Sequence, residues 1–200
     1  IDHKESGQID IPEVQTIKTN IRSSEAIAGA SVVGIPSEKT RFLDLPFYKT
    51  GQVKKHPIGD EDIQIILNLL NEIQPKIVFV AGYLSDPHGT HRMCKEAIDQ
   101  ALNVYDKTRP EVWLYRGAWQ EWEVDEADVV IPLSYDDLQR KIQAIFRHES
   151  QKDTAMFPGA YDDREFWERV RDRNISTAKR LDQLGFPQYY AMEAFVIDNN

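Results

Sequence analysis

At 200 residues, with 41% hydrophobic, 10% aromatic and 28% charged side chains, the chain reads as a single globular domain, which excludes the disordered and collagen-like classes. Lys and Arg total 24 against 33 Asp and Glu, a formal net charge of −9; such a surface repels phosphate backbones and anionic lipid, so neither nucleic acid nor a membrane is an expected partner. The longest apolar run, Ile77 to Ala81, is far short of the roughly 20 residues of a membrane-spanning helix, and the single cysteine, Cys94, permits no internal disulfide, so a reducing cytoplasm is expected.

The chain starts at Ile1 rather than Met and is polar through Asp10, which suggests a piece of a longer polypeptide. From Pro12 to Ala30, Val14, Ile17, Ile21 and Ala28 recur at helical spacing, predicting a helix that Asp10 enters and that closes near Gly34. Phe42 to Tyr48 is short and apolar and suits a strand that Pro46 stops or confines to an edge. Asp60 to Ile73 carries Ile63, Ile66, Leu67, Leu70 and Ile73 on one face, with Asp60 as its expected cap and Pro75 just beyond. Ile77 to Gly82 follows without alternation, as in a strand of a parallel sheet covered on both faces. Ser85-Asp86-Pro87 then opens a helix that continues through Met93, Cys94, Ala97, Ala101 and Tyr105.

Glu111 to Arg116 and Asp128 to Ile131 read as two further strands, joined by the acidic, Trp-rich stretch from Gly117 to Ala127. Ser134 with Asp137 three residues on starts a helix bearing Leu138, Ile142, Ile145 and Phe146. His148 to Asp162 reads as loop, Phe166 to Leu184 as a last helix ended by Gly185, and Tyr189 to Ile197 as a closing strand. Alternating helices and strands of this length predict one α/β domain over residues 1–200, a three-layer, mostly parallel sheet. With few strands and a helix first, its leading βαβ unit is expected to be missing. The sheet edge and apolar surface so exposed predict self-association.

The segment Gly82 to Arg92 carries the most chemistry. Ligands of open α/β sheets bind outside the carboxyl ends of the strands, where the next helix points its amides. His88 and His91 are three apart and share a helix face, flanked by Asp86 and Arg92; an imidazole pair beside a carboxylate suits zinc or another borderline divalent metal. The plainer alternative is that Asp86 and His88 cap the helix while His91 lies on the surface. His56-Pro57 with Asp60 to Asp62 is the weaker candidate, because it follows a polar turn and not an apolar strand. Cys94 falls on the apolar pattern and is read as core. Trp119 to Glu126 can line a sugar site, since aromatic faces stack on pyranose rings, or form a solvated hairpin with one anchored Trp. Arg116, at the carboxyl end of a strand, can grip an anionic group such as a phosphate or make a surface ion pair. No G-x-S-x-G, Walker loop, G-x-G-x-x-G or C-x-x-C is present.

Strand Ile77 to Gly82 with His88-Gly89-Thr90-His91-Arg92, then Leu138 to Gln151 with Arg140-Lys141, Ala144 and His148-Glu149-Ser150-Gln151, resembles the carboxyl half of the LmbE-like family, which includes PIG-L-type N-deacetylases. Leu45 to Gly51, Asp86 to Arg92 and Trp113 to Trp119 resemble more narrowly the LmbE-like domain fused behind a glucosamine-6-phosphate deaminase domain in some bacteria. The resemblance implies a Rossmann-like sheet and a zinc-dependent amide hydrolase of amino-sugar metabolism, acting on N-acetylglucosamine-containing substrates. It implies His91 as a zinc ligand, His88 as oxyanion support, and a metal-bound water activated by a carboxylate base; Asp86, Arg92 and Arg116 are the candidate substrate-binding residues. The family's His-Pro-Asp-Asp stretch, which supplies the other protein ligands and the base, is absent, and Thr90 stands where the family often has Asp. The fragment alone is therefore expected to bind zinc weakly or not at all and to be inactive. The alternative is a non-catalytic sugar-binding or assembly module attached to the deaminase.

Overall fold

The computed structural model describes residues 8–49, 54–82, 89–116, 121–151 and 164–199. In chain order these form α1 (Pro12–Val32), α2 (Asp60–Ile73), β1 (Ile77–Ala81), α3 (Thr90–Asn103), β2 (Glu111–Tyr115), β3 (Val129–Leu133), α4 (Tyr135–Phe146), α5 (Phe166–Gln183) and β4 (Ala191–Asp198), with short 3-10 turns at Ser37–Lys39 and Pro46–Tyr48. No described helix is long and apolar enough to cross a membrane.

The helix ends follow local chemistry. α1 and α5 both close on a left-handed glycine, Gly34 (φ 83°) and Gly185 (φ 89°). Each is followed by the reverse bonds of a Schellman motif: Ile35 N–H to Ala30 O at 3.0 Å, and Phe186 N–H to Leu181 O at 3.2 Å. Ser134 and Asp137 form the expected reciprocal cap of α4, with Ser134 Oγ accepting from the Asp137 N–H and Asp137 Oδ2 from the Ser134 N–H, both at 3.1 Å. Two caps differ from expectation. Ile11, not Asp10, precedes α1, because Pro12 sets the first helical φ. Gly59, not Asp60, precedes α2, because the carboxylate that reaches back is that of Asp62.

Asp62 also explains why Phe42 to Tyr48 is not a strand. Its Oδ1 accepts the Phe47 N–H at 3.0 Å while Oδ2 accepts the Gly59 N–H at 2.9 Å, so one buried carboxylate pins the Pro46–Tyr48 turn to the start of α2. Asp44 at φ 51° breaks the extended run just before it, and Phe47, 1% exposed, anchors the turn in the interior.

The sheet order is β1-β2-β4-β3. β1 and β2 pair in parallel, with Phe79 opposite Trp113 and Ala81 opposite Tyr115; β4 is antiparallel to both β2 and β3. The expected mostly parallel sheet is thus a mixed one among the described strands. The reason lies in the connections. A single helix between strands carries the chain back to the end of the sheet where the previous strand began, as α3 does between β1 and β2. Two consecutive helices, α4 and α5, return it to the end where β3 finished, so β4 runs backwards between its neighbours. Pro132 is tolerated because β3 is an edge strand of the described sheet.

The main core joins α2 and α3 (Ile66, Leu70, Ala97, Ala101, Leu102) to one face of the sheet (Val80, Val112, Leu114, Ala194). Ala178 and Leu181 of α5 extend it over Met192. On the other face α4 seals the corner of Leu133 and Ala191 with Leu138 and Ile142. α1 packs on α4 at Gly29, where a Cβ would come within 2.9 Å of His148 Nε2. The Glu25 carboxylate accepts from the Ser150 N–H and hydroxyl, both at 2.6 Å, bonds that hold its pKa below the ordinary value.

Strand β1 is not covered on both faces: Phe79 is 53% exposed and Ile77 38%. Phe79, Trp113 and Phe195 cluster with ring centroids 5.5 to 5.7 Å apart. The bonds Glu111 N–H to Lys76 O and Gly82 N–H to Tyr115 O direct even-numbered peptide groups toward β2, so those of Ile77, Phe79 and Ala81 face the open edge, where no described strand pairs. Self-association through this edge stays a proposal: antiparallel pairing with a second copy would set Phe79 beside its symmetry mate and join the two aromatic clusters.

Two outcomes are expected. Gly82→Ala would place a Cβ 2.6 Å from Leu114 Cβ, an overpacking that costs about 1–3 kcal/mol, read as a lower denaturant midpoint. Sedimentation of the chain should show dimers or larger species that Phe79→Lys converts to monomer; a wild-type monomer at tens of micromolar would contradict the edge pairing.

Candidate functional site

The carboxyl ends of β1 and β2 lie side by side, tied by the Gly82 N–H to Tyr115 O bond at 2.9 Å. Two candidate features flank them: the start of α3 with His91, and the residues following Tyr115.

At the first, α3 opens at Thr90 after Gly89, which sits at φ 69°. His91 is half-buried in the first turn. Arg92 is exposed and its guanidinium folds back over Gly89, where a Cβ would meet Nη2 at 3.0 Å. The Cys94 thiol, one turn on, lies close enough to Tyr115 to join burial in raising the phenol above its ordinary pKa. Asp86 and His88, and with them the expected cap at Ser85-Asp86-Pro87, lie outside the described residues. A catalytic zinc site uses three protein donors. Among the described residues no group of three or more His, Cys, Asp or Glu is placed to hold a metal ion, so the described donors do not make a zinc site, and His91 is one ligand at most.

At the second, a cavity of about 230 Å³ opens beyond β2, lined by Tyr115, Arg116, Glu121, Lys141, Ile145, Phe166, Val170, Arg173, Asn174 and Glu193. Behind its Arg116 wall stands Trp122, 5% exposed, whose indole N–H donates to Leu114 O at 2.9 Å. The Arg116 guanidinium stacks on that ring, Cζ 3.6 Å from the centroid, and Nη1 donates to Glu121 O at 3.3 Å. Of the two readings of the Trp-rich stretch, the anchored Trp therefore holds for Trp122; Trp119 lies outside the described residues. Arg116 reaches a carboxylate only at 3.9 Å, that of Glu126, and its buried Nε has no hydrogen-bond partner among the described residues.

The opposite wall comes from helices. Lys141 of α4 donates to Asn174 Oδ1 at 3.1 Å and to Glu193 Oε1 at 2.8 Å; Asn174 Nδ2 donates to Met192 O at 2.8 Å. Arg173 donates from Nε to Arg169 O at 3.3 Å. Its pKa is pulled down to about 10 by desolvation, with Arg164 and Arg169 acting in the same direction against Glu121. Glu121 is pushed up to about 6, chiefly by burial and further by Glu193, against the Trp122 N–H, Arg173 and Lys141. Three cationic side chains and two carboxylates thus meet in a space from which water is partly excluded.

Of the residues singled out from sequence, Arg116 is in this cavity, while His91 and Arg92 stand at the neighbouring helix start. Glu121 belongs to the Trp119 to Glu126 stretch read as a candidate sugar-site lining, whereas no motif in the sequence marks Lys141, Arg173, Asn174 and Glu193 as site residues. One signal was present: the apolar stripe Val170, Thr177 and Leu181 of α5 passes through Asn174, 2% exposed, and a buried amide on such a stripe must have bonding partners.

No family model matches the chain. It is 45% identical over 199 residues to a protein of Bacteroides thetaiotaomicron named "Putative glucosamine-6-phosphate deaminase-like protein"; the match takes in 96% of this chain and 30% of that relative. Among solved structures, GalB, the 4-carboxy-2-hydroxymuconate hydratase of Pseudomonas putida, is similar with TM-score 0.60 at 16% identity, over 100% of this chain and 81% of that one. The conserved protein TT1542 of Thermus thermophilus follows at 0.57 and 15%, over 95% and 75%. The zinc-inhibited form of teicoplanin deacetylase Orf2 gives 0.55 and 15%, over 94% and 82%. At such identities the likeness is one of fold, and a hydratase and a deacetylase share it.

The raised Glu121 sets a pH dependence. Its pKa is about 6 when folded against 4.5 ordinarily, so the folded state holds the proton more tightly. Its contribution to stability is full below pH 4.5 and lost as the pH rises through about 6. Glu121→Gln, which keeps an acceptor for the Trp122 N–H, should raise the denaturation midpoint at pH 8 and leave it unchanged at pH 4. The same effect of the substitution at both pH values would show that burial does not bear on this carboxyl.

Proposed function

We propose that the chain is part of an amino-sugar N-deacetylase domain, of the LmbE-like kind with a Rossmann-like sheet, within a longer cytoplasmic protein related to glucosamine-6-phosphate deaminases. The observation that carries this reading is the 45% identity over 96% of the chain to the deaminase-like relative. It is supported by the fold shared with a deacetylase and by the placement of His91 and Arg116 at adjoining strand ends, where α/β sheets bind ligands. Because the chain spans 30% of that relative, the activity belongs to the whole protein.

In this reading His91 would hold the zinc, His88 would support the oxyanion formed from the scissile amide, and Asp86, Arg92 and Arg116 would hold the sugar. The His-Pro-Asp-Asp stretch that would complete a zinc site is absent from the 200-residue sequence, and in this reading the chain is inactive as an isolated fragment. That same shortfall favours a second reading, a module that binds a sugar for its deaminase partner without cutting it.

Acetate release from N-acetylglucosamine 6-phosphate separates the two. The whole protein carrying this chain should release acetate in a reaction that a chelator stops and His91→Ala abolishes, while the isolated chain releases none. Binding of the sugar by the whole protein without acetate release, in the presence of added zinc, would hand the case to the binding module.

A further inference from the structure

We propose that the cavity beyond β2 is an anion subsite that takes the phosphate of a sugar phosphate, with Arg116 and Arg173 as its grips and Glu193 turned toward the sugar. The anion part of this assignment stands on geometry alone; the sugar part rests on the function proposed above.

Three observations converge. The first is an excess of positive charge in a confined space on a protein of net charge −9: Arg116, Lys141 and Arg173 line it against Glu121 and Glu193. The second is how these charges are used. Lys141 is engaged by Glu193 and Asn174. Arg116 is held flat by Trp122, with its nearest described carboxylate at 3.9 Å, so among the described residues its planar fork is oriented without a bidentate partner. A guanidinium so fixed suits a phosphate, which accepts paired N–H donors. The third is desolvation: burial works against the charged form of Arg173 and favours the neutral form of Glu121, and a bound dianion would relieve the first while the second lowers repulsion.

Size narrows the ligand. About 230 Å³ lies below the roughly 300–1,000 Å³ of sites for drug-sized molecules, which suits a hexose phosphate and excludes a dinucleotide. Ile145, Phe166 and Val170, on the same helices as Lys141 and Arg173, offer apolar surface to a sugar ring, and Glu193 an acceptor for a hydroxyl or an ammonium group.

The test is calorimetric binding of glucosamine 6-phosphate, glucosamine and inorganic phosphate to the 200-residue chain at fixed salt. The expected order is glucosamine 6-phosphate tightest, inorganic phosphate weaker, glucosamine undetectable, with Arg116→Gln weakening the first by about tenfold or more, the loss of one good charged contact. Since Arg116→Gln also removes packing on Trp122, a second measurement uses the unsubstituted protein: phenylglyoxal modification of Arg116, read by mass spectrometry, should be slowed by glucosamine 6-phosphate and not by glucosamine. Equal binding of glucosamine and its phosphate, unprotected Arg116, or no binding of any probe would each overturn the assignment. Binding requires no acetate release, so the subsite and the deacetylase reading fail separately.

Discussion

A single buried amide organises the half of the molecule that carries the cavity. Asn174 of α5 donates to the backbone of β4 and accepts from Lys141 of α4, which in turn reaches Glu193 of β4. Two helices and a strand are thereby fixed to one another through polar groups largely withdrawn from water, and such a network tolerates no missing member, because each unpaired group would bear its full desolvation cost. Its geometry also dictates where the next residue goes. With Asn174 locked onto Met192 O, Arg173 is presented to the space in front of β2, facing Arg116 on the far wall.

The two features at the strand ends differ in how complete they are. Among the described residues the cationic cavity has a stacked arginine on one wall and two helices on the other. The metal side has one candidate donor among them, His91. A fold that supports both a hydratase and a deacetylase leaves chemistry to such local sets.

Much of the architecture was legible because it rests on local chemistry. The reciprocal Ser134–Asp137 cap, the glycines at 34 and 185 and the apolar stripe of α2 are each decided within a few residues of chain. What was not legible depends on distant partners. Phe42 to Tyr48 has the composition of a strand, but the Asp62 carboxylate and the burial of Phe47 bend it into a turn. The unbroken run of β1 suggests cover on both faces, yet the sheet places it at an edge with Phe79 open. The reversed β4 follows from two successive helices, each legible as an apolar stripe, whose joint effect on strand direction no local pattern shows. At the site, Arg116 was legible from its place after a strand; Arg173 and Lys141 were not, since on a helix a cation facing a cavity looks like one facing solvent until the neighbouring elements are placed.

Of the four described strands, the one that joins the sheet together is the last to leave the ribosome. β2 and β3 have no bond to each other, only to β4 between them. During synthesis the two must wait as separate pieces, each with an unsatisfied flank, and the sheet closes only when Ala191 to Asp198 slides into the gap. Pairings this remote in sequence form slowly, and until they do the nascent chain offers vacant strand edges to any neighbour. Its vulnerability to misassembly is therefore concentrated in the interval before β4 emerges, and a chain broken ahead of Ala191 would be left with a sheet cut in two.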